Sequence, residues 1–81
     1  MRIFSLDKEY NVVCNSEKTR YGFRHIAVLH RIGFEITRAK VCYYNRTWER
    51  FEFETVLLRI INDYFTGREK AKFLEVIESI N

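Results

Sequence analysis

Apolar and polar residues alternate with a period of two through the middle of the chain and recur every three or four residues in its last third. Ile3-Phe4-Ser5-Leu6 and Tyr10-Asn11-Val12-Val13-Cys14 are short β-leaning runs split by Asp7-Lys8-Glu9, and they predict a first hairpin. Asn15-Ser16-Glu17-Lys18 reads as a loop. Two longer runs, Arg20 to His30 and Phe34 to Arg46, have the length and residue types of strands. Thr47-Trp48-Glu49 either opens a helix or continues as an edge. From Phe53 the period changes: Phe53, Val56, Leu57, Ile60, Ile61, Tyr64 and Phe65 share one helical face, with Arg59, Asn62 and Asp63 opposite. Glu49, Glu52 and Glu54 crowd its start, where negative charge suits the helix dipole. Thr66 followed three residues later by Glu69 reads as a capping box. It introduces a short helix that buries Phe73, Leu74, Ile77 and Ile80. The expected fold is α+β: an antiparallel β-meander of three to four strands packed on a C-terminal amphipathic helix plus a short final helix.

The connection between the two long runs sets which residues share a face. A two-residue Ile32-Gly33 turn pairs Arg31 with Phe34 and sets odd positions across from even ones, mixing cations with apolar residues. A three-residue loop, Arg31-Ile32-Gly33, pairs His30 with Phe34, keeps like parity together and puts Gly33 at a left-handed position. That register is the expected one. It gives a core face of Tyr21, Phe23, Ala27, Leu29, Ala39, Val41 and Tyr43. The other face carries Arg20, Arg24, Arg38, Lys40, Tyr44 and Arg46 around Ile26, Val28, Ile36 and Cys42, a basic rim on an apolar floor.

Charge reinforces this picture. The chain has 81 residues and a net charge of +3, but the positive charge belongs to residues 17–50, whereas residues 51–81 are net acidic. This length fits one domain, residues 1–81, with a modest core that leaves room for a homodimer. No stretch approaches the roughly 18–20 apolar residues of a membrane span, and MRIFSLDKEY has no signal-peptide core, so the expected location is cytoplasmic. Cys14 and Cys42 lie far apart with no CxxC spacing and read as small buried hydrophobes.

Candidate chemistry is sparse. His25 and His30 fall on opposite faces, and neither has a carboxylate or thiol at a spacing that forms a dyad or a metal site. His25 is expected to be a hydrogen-bonded core residue and His30 a surface residue at the loop end. No P-loop, GxGxxG or GxSxG is present. The expectation is a protein that is not an enzyme and needs no cofactor or metal. Arg20, Arg24, Arg38, Lys40 and Arg46, with Tyr44 and Trp48 among them, combine phosphate-neutralising cations with stacking aromatics, as nucleic-acid surfaces do. The same set suits an acidic protein surface. It also suits a solubilising sheet face whose long stems cover Ile26 and Val28. Trp48 reads either as core, packed where the sheet meets the helix, or as an interface anchor beside Arg46.

Across Gly22-Phe23-Arg24-His25 and Lys40-Val41-Cys42-Tyr43-Tyr44-Asn45-Arg46-Thr47-Trp48-Glu49-Arg50-Phe51-Glu52-Phe53-Glu54-Thr55-Val56-Leu57 the chain resembles small proteins encoded by bacteriophages and prophages. The resemblance spans roughly residues 19–65 and implies an accessory factor, in some cases an anti-defence inhibitor of the anti-CRISPR type. It transfers no functional residue. The resulting expectation is stoichiometric binding of a bacterial protein or nucleoprotein complex through the basic face. The alternative is a direct DNA- or RNA-binding module using that face.

Overall fold

The computed structural model describes residues 1–43, Arg46, Trp48 and 50–79, leaving out the side chains of residues 40–43, 50 and 51. Strands β1 (Arg2–Ser5), β2 (Tyr10–Thr19), β3 (Gly22–Arg31) and β4 (Phe34–Tyr43) form one antiparallel sheet in the order β1-β2-β3-β4. Helices α1 (Arg50–Tyr64) and α2 (Gly67–Ser79) follow, so the fold is the α+β meander with C-terminal helices that the patterning predicts.

Alternation decides which sheet face is buried. Val12 pairs with Leu29, and Cys14 with Ala27, which in turn pairs with Ala39. Val12, Cys14, Ala27 and Leu29 are all essentially inaccessible. They meet Val56, Leu57, Ile60, Ile61 and Phe65 of the α1 segment, together with Phe73 and Ile77 of α2. The opposite parity faces outward: Ile3 pairs with Val13, and Val13 with Val28, and no described element covers them. Burial of the Cys14 thiol pushes its pKa up to about 12, so it behaves as a small apolar group.

Three local expectations change. Residues 15–18 are not a loop: together with Thr19 they extend β2, pairing with Gly22 to Ile26, because a long ladder satisfies their backbone groups whatever their polarity. Tyr21 leaves the core face for the β2–β3 turn, where it is exposed. The β3–β4 connection is the two-residue Ile32-Gly33 turn, with Arg31 paired to Phe34. The expected loss of parity does not follow, because the register shifts at Leu29/His30: His30 pairs with Glu35 and Leu29 with Thr37. Ile36 is the extra residue of this bulge. It restores like parity from Thr37 onward and turns Ile36 from the outer face to pack against the core.

The turn itself is strained. Ile32 adopts φ 49° and Gly33 φ 81°, the doubly left-handed geometry of a type I′ turn, which favours Asn-Gly. A β-branched residue there costs roughly 1–2 kcal/mol. Ile32→Asn is therefore expected to raise stability by about 1 kcal/mol, read as a higher urea midpoint at unchanged slope. An unchanged or lower midpoint would contradict this geometry.

Candidate functional site: the open sheet face and the cluster behind it

The predicted basic-face residues separate. Arg24 and Arg38 lie on the open face, and Lys40, opposite Ile26, holds a register position on that side. Their neighbours are not only apolar. Glu17 approaches Arg24 at 3.7 Å, and Glu35 pairs with Arg38. All four side chains are about half exposed, so these pairs contribute little stability. They do turn an all-cationic rim into one of alternating sign. Arg20 sits in the β2–β3 turn, its guanidinium 5.8 Å from the Tyr21 ring. Tyr44 lies outside the described residues.

Arg46 and Trp48 do not belong to this face. Arg46 pairs with the Glu52 carboxylate, whose side chain is only 1% exposed. Trp48 stacks on Phe53 with ring centres 4.9 Å apart and lies 4.4 Å from the His25 ring. Its indole Nε1 donates to the Asn15 carbonyl oxygen at 3.0 Å. Of the two readings of Trp48, the packed one holds: it fills the seam between sheet and helix. The physical reason is local. Arg46 and Trp48 both engage residues of α1, Glu52 and Phe53, and this draws them across to the helical side, away from the open face.

What this crossing assembles was hidden in the sequence. His25 is fully buried, and its Nδ1 lies 3.1 Å from Ser16 Oγ on the neighbouring strand. Burial lowers the imidazole pKa below its ordinary 6.5, and Arg46 adds to this. These effects outweigh the nearby Glu52 carboxylate and a bond to the Arg46 backbone, both of which raise it. Glu52 thus lies close enough to His25 to act on it, although the two are 27 positions apart in sequence. It is also more than a helix-dipole residue, being buried and ion-paired. Ser16, His25, Arg46 and Glu52 form a polar seam under Trp48 that joins β2 and β3 to the first turn of α1. The inaccessible imidazole and the engaged carboxylate make this seam a joint.

The seam makes stability depend on pH. Unfolding returns His25 to an ordinary imidazole pKa near 6.5, above its folded value, so the unfolded chain binds the proton more readily. The contribution is complete above about pH 6.5 and is lost as pH falls through the lower folded value. Urea midpoints should therefore drop between about pH 7.5 and about pH 5.5, a range chosen to lie above most carboxylate titrations. A His25→Gln variant should show a smaller drop, and equal drops in both proteins would remove His25 as the cause.

Among the described residues no group of His, Cys, Asp or Glu is arranged to hold a metal ion, and no helix is long and apolar enough to cross a membrane. No protein family, curated protein or solved structure matches the chain.

Proposed function

We propose that this protein is a non-enzymatic binding module of the bacterial cytoplasm. In this reading it acts as a phage accessory factor that engages a bacterial protein or nucleoprotein complex stoichiometrically through its open sheet face. The observation that supports the reading is the bare face itself. A row of apolar side chains, Ile3, Val13 and Val28, runs across three strands with Ile26 beside it. The pairs Glu17–Arg24 and Glu35–Arg38 flank the row. Ile3 is 57% exposed, and a continuous apolar strip framed by charges of both signs is the make-up of a protein interface. A phosphate backbone would be repelled by Glu17 and Glu35, which favours a protein partner over direct nucleic-acid binding.

Capture from bacterial lysate by wild type and by an Arg24→Glu/Lys40→Glu variant tests this reading. The variant should melt at the same temperature and lose the partners that wild type retains. Equal capture by both would move the interface elsewhere. A gel shift with mixed DNA and RNA decides the rival. Retardation that collapses with salt would replace the protein-binding reading by a nucleic-acid one.

A further inference from the structure

The sheet ends on β4, and nothing described pairs with its outer edge. At the other edge β1 has only four residues, but β4 has ten and no proline. A type I′ turn closes on a hydrogen-bonded pair, here Arg31 and Phe34, and such pairs alternate along an antiparallel ladder. With the bulge placing Leu29 against Thr37, the backbone groups of Thr37, Ala39, Val41 and Tyr43 turn toward β3. Those of Arg38, Lys40 and Cys42 turn outward. Long unblocked edges are templates for an added strand.

The surroundings of this edge say what kind of strand fits. A groove of about 190 Å³ runs between the edge and α1, lined by Thr37, Arg38 and Ala39 on one side and by Arg59, Ile60, Asp63 and Tyr64 on the other. Arg38 and Arg59 stand on its two flanks, and Lys40 occupies the next outward position of the strand. The two arginines are held by exposed pairs, Arg38 with Glu35 and Arg59 with Asp63 at 4.0 Å, which an incoming carboxylate can displace at little cost. At the turn end the groove meets a basin lined by the apolar Ile32, Phe34 and Ile36 and by Tyr64, with Arg31 at its side. Phe34 is 78% exposed there, and Ile32 is held in the strained turn conformation described above. Tyr64 lines both concavities.

A second copy of the chain fits poorly. Antiparallel pairing of β4 with itself, centred on residues 38–40, sets Arg38 or Lys40 against itself or against the other, and like charges directly opposed destabilise a ladder.

We propose that the outer edge of β4 receives an extended acidic segment of a partner protein as a fifth strand. A carboxylate on one side of the segment faces Arg38, one on its other side faces Arg59, and an apolar end seats in the Ile32–Phe34–Tyr64 basin. This site shares the Arg38 and Lys40 positions with the open face, and Arg59, which lies off that face, is the residue whose substitution tells the two sites apart.

The test uses the intact protein and a soluble glutamate-rich peptide ending in phenylalanine, whose carboxylates lie on both faces of the added strand, followed by amide NMR. Added peptide should shift the Arg38, Lys40 and Cys42 amides and slow their hydrogen exchange, while Ala39 and Val41 are already slow in the free protein. Arg59→Glu, on the helix side and away from the open face, should weaken binding at least about tenfold, as expected for a desolvated charge contact. The same peptide with lysine in place of glutamate should not bind. The proposal is overturned by an absence of shifts at about millimolar peptide, or by equal binding of the lysine peptide. Shifts confined to Val13, Ile26 and Val28 would also overturn it. So would shifts of the edge amides with protein concentration alone, which would give the edge to a second copy.

Discussion

Phe73→Ala is expected to cost about 3–5 kcal/mol, the usual penalty for emptying a buried aromatic site. Phe73 is fully inaccessible. Its ring lies 4.6 Å from Phe65 and 5.7 Å from Tyr10, both in edge-on geometry, and Tyr10 and Phe65 meet at 5.0 Å. These three rings come from β2, the end of α1 and α2, so one side chain ties both helices to the sheet. The other ties of α2 include Ile77, buried with it, Leu74 and Val76, partly buried against the core, and Lys72, which reaches Asp7 at 3.6 Å with its own side chain mostly exposed. A domain of this size has about 4–12 kcal/mol in all, so the loss should leave much of the protein unfolded at growth temperature. Thermal melting by circular dichroism reads the effect. Phe73→Leu, which keeps most of the volume, should cost less than about 1.5 kcal/mol. If the alanine variant melts within a few degrees of wild type, α2 does not dock through this ring.

Breaking the polar seam should cost nearly as much by a different mechanism. Removing Arg46 leaves the Glu52 carboxylate buried without its guanidinium, and such half-broken pairs typically lose about 3–5 kcal/mol. Arg46 keeps about a third of its side chain exposed, so water can reach part of the gap, and Arg46→Ala is placed near 3 kcal/mol at the low end of that range. The second substitution gives the argument its sign. Arg46→Ala/Glu52→Gln removes the stranded charge and should recover part of the loss, whereas a pair acting only through packing would lose further stability. Urea midpoints of the three proteins decide between these outcomes.

Side-chain patterning carried the fold as far as patterning can. Val12, Ala27 and Leu29 are buried at the spacing that alternation predicts, and Val56, Ile60 and Ile61 at helical spacing. The β3–β4 register was legible in its consequence and not in its cause. Like residues do face each other, but through a tight turn plus a bulge, and Ile32 occupies a left-handed position that its side chain disfavours. Propensity points away from such a turn, and a bulge has no residue signature beyond the parity it repairs. The polar run 15–19 was hidden for the opposite reason. Its strand is held by backbone pairing, with little apolar burial to mark it. Arg46 and Glu52 are six apart, a spacing with no regular periodicity, so their meeting depends on how the chain crosses from β4 to α1. The carboxylates facing Arg24 and Arg38 could have been anticipated for Glu17 only by first extending β2, and for Glu35 only by knowing the bulge.

The functional reading rests on one sheet face being bare while the other is covered, and methyl NMR with a soluble paramagnetic agent measures that directly. Val12 and Val13 are adjacent in sequence and face opposite sides, the first fully inaccessible and the second partly open. Strong relaxation of the Ile3, Val13, Ile26 and Val28 methyls, with Val12, Ala27 and Leu29 left sharp, is the expected result. Shielding of Val13 and Val28 to the level of Val12 would contradict it, because the face assigned to a partner would then already be covered.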